Sequence, residues 1–215
     1  MYLCSLDNNQ TNDTMKKILL IALALFAGAQ AHAQLAVEAG YQHAFESWKV
    51  KSLKTKYETP MDGFYAGVRF GLHLDNLVEG LSFVPGADLS FLFGKSYIGD
   101  HPITEVAVNV PLQFRYSYDI VDDFSVFGLF GPTLQYGLYH QAFKGGTSYN
   151  LYSNRNDLNE LRKRFQTYLS FGAGFEVAQM IQVKLGFDVG LLNLTPENDL
   201  RATRHLLKVG AAYLF

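Results

Sequence analysis

The sequence predicts an all-β chain: an eight-stranded antiparallel up-and-down transmembrane β-barrel, preceded by a cleavable signal peptide. Three observations predict it. Apolar and polar residues alternate with a period of two through eight segments. The connections between those segments alternate short and long. The longest apolar run lies near the start of the chain and is too short to span a bilayer as a helix.

That apolar run sets the domain organisation. Lys16 and Lys17 follow Met15 and precede Ile18 to Ala29, and Ala31 and Ala33 supply the small residues a signal peptidase accepts. Residues 15–33 therefore read as a signal peptide and 1–14 as an upstream start-site extension, which leaves 34–215 as one barrel domain beginning at Gln34. The single cysteine, Cys4, falls in the extension, so the mature chain is expected to hold neither a disulfide nor a thiolate metal site. The hydrophobic fraction of 48% suits a barrel that alternates lipid-facing and lumen-facing residues. A net charge of -2 shows no concentrated basic face, and no nucleic-acid partner is expected.

The segments follow in order. In the first, about Leu35 to Glu46, Leu35, Val37, Ala39, Tyr41 and Phe45 oppose Glu38, Gly40 and Gln42. The second sets Phe64, Ala66, Val68, Phe70, Leu72 and Leu74 against Tyr65, Gly67, Arg69, Gly71 and His73. The third sets Leu81, Phe83, Ala87, Leu89, Phe91 and Phe93 against Ser82, Gly86, Asp88, Ser90 and Gly94. The fourth is the most regular, with Val106, Val108, Val110, Leu112, Phe114, Tyr116 and Tyr118 alternating with Glu105, Asn109, Gln113, Arg115 and Ser117. The fifth, Phe124 to Tyr139, is ambiguous, because Phe127 and Leu129 share a face with Ser125, Thr133 and Gln135. The sixth and seventh carry Leu169, Phe171, Phe175, Ile181, Val183, Leu185, Phe187 and Val189 outward and Ser170, Gly172, Gly174, Glu176, Lys184, Gly186 and Asp188 inward. In the eighth, His205, Leu207, Val209, Ala211, Tyr213 and Phe215 oppose Leu206, Lys208, Gly210 and Ala212. Pro85, Pro111 and Pro132 lack the amide hydrogen a ladder needs and are expected to mark bulges.

Asp75 to Gly80, Asp119 to Asp123 and Ala178 to Met180 are short connections; Ser47 to Asp62, Lys95 to Ile103, His140 to Lys163 and Asn193 to Ala202 are long. With both termini in the periplasm, the short turns are periplasmic and the long loops extracellular. A soluble β-sandwich, the rival fold, has no reason to keep that order.

The ending, with its aromatic last residue Phe215, resembles the closing strand of a Gram-negative outer-membrane barrel. Together with Ala31-His32-Ala33-Gln34, Val108-Asn109-Val110-Pro111-Leu112-Gln113-Phe114-Arg115-Tyr116, Phe127-Gly128-Leu129-Phe130-Gly131-Pro132 and Gly172-Ala173-Gly174-Phe175-Glu176, it resembles the PorT-like outer-membrane β-barrel family of Bacteroidetes. The resemblance covers the mature chain and implies an outer-membrane location; some members of that family act in secretion machinery.

Parity aims Glu38, Arg69, Asp88, Glu105, Arg115, Glu176, Lys184, Asp188 and Lys208 into the lumen, where they are expected to pair with one another and with Gln42, Gln113 and His73. Eight strands leave an interior that side chains can fill, so a plugged barrel is expected and a proton path or small channel is the alternative. Lys49, Lys51, Lys54 and Lys56 in the first loop, and Lys144, Arg155, Arg162, Lys163 and Arg164 in the third, are candidates for lipopolysaccharide phosphates. Asp157 and Glu160 have capping-box spacing, and Leu158, Leu161 and Phe165 are spaced like a short helical face, so a small extracellular helix or partner-binding knob is expected. Trp48, Tyr41, Tyr116, Tyr118 and Tyr213 read as interfacial anchors. Asp100-His101, and His140 with Ser148, are the candidates for a rim enzyme, but neither pair has diagnostic spacing and no catalytic activity, cofactor or metal is expected.

The expected protein is thus an integral outer-membrane barrel with a structural or binding role. Its partners are outer-membrane lipid and lipopolysaccharide, the barrel assembly machinery during insertion, and a protein docking on the loops. A secretion-associated barrel is the alternative, with a rim enzyme or small channel behind it.

Overall fold

A computed structural model describes residues 33–50, 55–95, 101–144, 147–152, 162–196 and 199–215. The upstream extension and the signal peptide up to His32 fall outside them, as do Lys51, Lys54, Asp100, Arg155 and the 157–161 helix signature, whereas Ala33 opens the first strand.

The strands are β1 (Ala33–Val50), β2 (Thr55–His73), β3 (Leu81–Lys95), β4 (Pro102–Val121), β5 (Phe124–Lys144), β6 (Thr147–Asn150), β7 (Phe165–Val177), β8 (Ile181–Gly190) and β9 (Leu200–Leu214). Each of β1 to β5 and β7 to β9 is hydrogen-bonded to its neighbours in chain order, and β1 pairs with β9, so eight strands close into a ring. The recorded pairings are antiparallel. Closure removes every edge from the wall, which is what lets a sheet sit in lipid. The start of β1 and the end of β9 meet at one rim, where Phe215 N donates to Leu35 O.

Alternation decides the two faces. Phe45, Phe64, Phe93, Phe114, Phe130, Phe171 and Val209 are exposed on the outer wall, whereas Glu38, Arg69, Asp88, Glu105, Asp188 and Arg204 are buried inside. Outward aromatics of adjacent strands lie against one another, as Phe64 with Phe91 at 5.0 Å and Phe130 with Phe171 at 5.3 Å. An apolar surface this continuous, around a charged interior, is the inverse of a water-soluble core and matches a wall bathed in lipid.

Several expectations need correction. Strand pairing runs well beyond the apolar belt, so β1 reaches Val50, β2 starts at Thr55 and β5 reaches Lys144. Much of the expected first and third loops is therefore strand, because backbone pairing persists where the side chains have turned polar. β6, a short partner of β5, was not expected from the sequence. Trp48 pairs with the fully buried Ala202 and so shares the inward parity rather than facing lipid.

The prolines do not mark bulges. On β2–β3 the pairing passes from Arg69↔Gly86 to Leu72↔Phe83 around Pro85, and on β3–β4 from Pro85↔Leu112 to Asp88↔Asn109 around Pro111, with no change of register. On β4–β5 it passes from Pro111↔Thr133 to Phe114↔Phe130 around Pro132. A missing amide opens a ladder without requiring an extra residue. The register shifts lie elsewhere on β4–β5, at Val106/Ala107 and Asp119/Val121.

Candidate functional site

The inside of the ring is the best-built part of the molecule. At the end carrying the longer connections, Glu46 of β1 and Glu105 of β4 face Arg204 of β9 and Arg162, which lies just before β7. Arg204 donates through Nη1 and Nη2 to the two oxygens of Glu105, both at 2.7 Å, and through Nε and Nη2 to Glu46 Oε2 at 3.0 and 2.8 Å. Arg162 makes a two-pronged pair with Glu46, both bonds at 2.8 Å. His140 Nδ1 lies 3.0 Å from Glu105 Oε2. Arg204 is 1% exposed and Glu105 2%, so this is a dry cluster in which each charge is held by geometry.

A second network spans the middle. Arg69 reaches Asp88 at 2.9 Å and Glu38 at 3.2 Å, Lys184 reaches Glu38 at 2.8 Å, and Lys208 reaches Asp188 at 2.7 Å. Asn109 Nδ2 donates to Asp88 at 2.5 Å, Gln135 Nε2 to Asn109 Oδ1 at 2.8 Å, and the Tyr168 hydroxyl to Gln135 Oε1 at 3.0 Å. That chain of bonds runs from β3 across β4 and β5 to β7. Nearer the termini, Arg115 lies 3.3 Å from Glu176, which also accepts from Gln182 Nε2 at 2.8 Å.

Six carboxylates (Glu38, Glu46, Asp88, Glu105, Glu176, Asp188) thus meet six cations (Arg69, Arg115, Arg162, Lys184, Arg204, Lys208). Among the described residues these opposite charges balance one for one. Between and beside the networks sits an apolar cluster of Ala44, Met61, Leu92, Ile103, Tyr168 and Leu206, all buried. Two cavities beside the middle network measure about 30 and 20 Å³, room for a water or two. Charges, hydrogen bonds and aliphatic side chains together fill the cross-section.

The nine lumen charges read from parity all lie inside. Only Glu105 belongs to the outer cluster, and its partners escaped the sequence reading for separate reasons. Glu46 lies at the end of the first segment and Arg204 directly precedes His205 of the eighth, so parity alone places both inward with Gln42 and Leu206. Arg162 was placed among exposed loop cations; it is instead buried against Glu46. Arg164 lies 5.0 Å above the Tyr152 ring and donates to Gly137 O. His140 was a rim candidate, yet it is buried in the lumen: Val106 pairs with Tyr139 and Ala107 with Gly137, so Leu138 is an extra residue on β5 that reverses parity beyond it. His140 therefore serves no outer-rim dyad, and the side chain of Ser148 lies outside the described residues. His73 sits beside Ser82 and Asp75, at 3.3 and 4.0 Å, rather than in the central networks.

The ambiguous fifth segment resolves as read by parity, with Ser125, Phe127, Thr133 and Gln135 all buried. Phe127 packs under the Arg115 guanidinium at 5.3 Å. A Cβ on Gly174 would meet Val183 O at 2.2 Å and the Phe127 ring at 2.6 Å, so this glycine relieves crowding inside the wall.

A search of curated proteins finds no match. Among solved structures, the chain is similar to the attachment invasion locus protein Ail of Yersinia pestis in complex with the heparin analogue sucrose octasulfate, with 14% identity over 85% of this chain and 99% of that one and a TM-score of 0.43. It is similar to Neisserial surface protein A at 14% identity over 84% and 97%, TM-score 0.49, and to the outer membrane enzyme PagL at 9% over 81% and 98%, TM-score 0.42. Resemblance at these values assigns no activity. The model of the outer membrane protein beta-barrel domain matches residues 18–215, and the chain belongs to that family.

Proposed function

We propose that this protein is a closed barrel of the bacterial outer membrane whose role is structural or binding: its lumen is a load of matched charges that holds the wall in register, and its outer face and loops make its contacts. The observation that carries this reading is the interior itself. Arg204, Glu46, Glu105 and Arg162 block one end of the ring with bonds of 2.7 to 3.0 Å, and the middle network lies beneath them. A conducting pore of this strand number would need to break several such pairs at once, each at a cost of about 3–5 kcal/mol when one partner is left buried alone.

Export by the signal peptide of residues 15–33, its removal, insertion by the barrel assembly machinery and membership of the PorT-like group of Bacteroidetes form part of the same proposal, supported by the sequence motifs. Planar-bilayer recording on the refolded protein tests it. The expected record is a flat baseline across applied voltage; a reproducible ion-selective open state overturns the plugged lumen.

A further inference from the structure

The paired cations of the lumen are not all held in the same way. Arg69, Arg115, Lys184, Arg204 and Lys208 stand on strands of the ring, whereas Arg162 precedes β7, which begins at Phe165. Arg162 reaches Glu46 from a short stretch that folds over the loop end of the lumen. Lys163 N donates to Leu194 O at 2.7 Å, and Gln166 Nε2 donates to Lys163 O at 3.1 Å. Leu194 and Thr195, from the connection between β8 and β9, are themselves buried. At the next residue the chain is pinned to the wall: Gly137 N donates to Arg164 O at 2.8 Å, and Arg164 Nη1 donates to Gly137 O at 3.2 Å. Arg162 and Lys163 thus form a lid hinged at Arg164, and the two-pronged pair with Glu46 is its bolt.

Beside the bolt sits a titratable group whose capacity is unused. His140 is buried, and its Nδ1 lies 3.0 Å from Glu105 Oε2 without making a hydrogen bond. Glu105 already accepts from Arg204 through both oxygens, with Arg162 Nη2 at 3.7 Å. The charged and titratable groups around the imidazole are Glu105 of β4, Glu46 of β1, Arg204 of β9, Arg162, Tyr168 of β7, and Tyr152, whose ring meets it edge-on at 5.5 Å. The inward residues of β2 and β3 at this end, Met61 and Leu92, are uncharged, and Asp188 of β8 is taken up by Lys208. Two carboxylates and two guanidiniums balance, so a neutral imidazole completes the set. A proton on His140 sets three cations against two carboxylates in a dry space, and an uncompensated buried charge is costly. Glu46, Glu105, Arg204 and His140 are all fixed on strands, so Arg162 is the charge that can leave.

We propose that His140 and Arg162 form an acid-operated latch at the loop-end mouth of the barrel: protonation of the imidazole displaces Arg162 from Glu46 and swings the Arg162–Lys163 lid outward. The inference goes beyond the plugged barrel and leaves the plug in place, because one positive charge replaces another. With Arg162 out, Arg204 still bridges Glu46 and Glu105, and the protonated Nδ1 of His140 donates to Glu105, so the pairing is again two to two. The middle network keeps its partners throughout. Access is what changes: Glu46, Tyr152 and the inward-facing Trp48 come within reach of water, so acid turns a shut rim into one that presents a carboxylate and aromatic rings. With the open-state imidazole titrating at the ordinary value of about 6.5 and the shut-state one holding no proton, the open-to-shut ratio rises about thirtyfold between about pH 7.5 and about pH 5.

Hydrogen exchange of the Lys163 amide tests it, read by NMR on the refolded protein in detergent as protection relative to the unstructured rate at each pH. That amide is bonded to Leu194 O only while the lid is shut, and exchange reports even rare openings. Wild-type protection at Lys163 is expected to fall about thirtyfold from about pH 7.5 to about pH 5. The Gly137 amide, bonded to Arg164 O at the hinge, is expected to stay protected at both. His140→Gln is expected to hold Lys163 protection constant across the same interval, and Arg162→Gln to lower it at both ends. Equal wild-type protection at the two pH values, the same fall in His140→Gln, or a parallel loss at Gly137 overturns the proposal. Should His140→Gln fail to fold, Arg162→Gln decides, since wild-type protection and wild-type pH dependence in that variant remove the bolt.

Discussion

Arg204 carries more of the interior than any other side chain, because its single guanidinium bridges two carboxylates from different strands, Glu46 of β1 and Glu105 of β4. Replacing it with methionine keeps the bulk and deletes the charge, which leaves two carboxylates facing Arg162 alone. Arg204→Met is expected to destabilise the folded barrel by about 3–5 kcal/mol. Urea titration of gel migration in lipid vesicles reads that loss, and Arg204→Met combined with Glu105→Gln should recover part of it, since the second change removes one of the stranded charges. A wild-type midpoint for the single variant contradicts the assignment. At this scale the sequence was only half legible. Glu38, Arg69, Asp88 and Lys184 sit in the middle of strands, where a period of two cannot mislead; Glu46 and Arg204 sit where the outward face has already turned polar, so the contrast that reveals parity has faded.

The β7–β8 turn and the bulge in β5 each explain a feature of the wall. The turn joining β7 to β8 holds Ala178 at φ 53° and Gln179 at φ 55°, both left-handed, with Met180 N donating to Val177 O at 3.1 Å. Left-handed backbone at both central positions is the type I′ hairpin geometry that asparagine and glycine favour. Ala178→Asn with Gln179→Gly is therefore expected to stabilise the barrel by about 1 kcal/mol, seen as a higher urea midpoint in vesicles. The bulge at Leu138 is one of the two register shifts between β4 and β5. Deleting Leu138 removes the extra residue and leaves Gly137 and His140 inward and Tyr139 outward in simple alternation, with the pairing of Val106 to Tyr139 and Glu105 to His140 kept. The deletion variant should keep heat-resistant migration close to the wild-type temperature; a transition well below it argues against Leu138 as the extra residue. Nothing in composition announces that bulge, since Gly137-Leu138-Tyr139-His140 reads equally well as the end of a strand. The prolines teach the converse. They were expected to interrupt register, and they interrupt only hydrogen bonding, because the strands on either side are long enough to hold alignment.

For the whole molecule, the closed ring was legible because transmembrane barrels must satisfy two constraints at once, an apolar exterior and short turns at the rim that holds the termini. The apolar cluster inside the lumen was not legible: Met61, Leu92 and Leu206 share the inward face with charges, and a hydrophobic residue on the polar face carries no signal in an alternation pattern. Its effect is to keep water from the ion pairs, which strengthens each of them. The account stands on lipid outside and a dry, charged core within. Site-directed spin labelling along β4 in vesicles, in a Cys4→Ser background, tests this most directly. Labels at Val106, Val108, Val110 and Phe114 should collide freely with lipid-dissolved oxygen, while labels at Ala107, Asn109 and Gln113 should be shielded from both oxygen and a water-soluble nickel reagent. Oxygen access that peaks at the second set, or nickel access throughout it, contradicts the account.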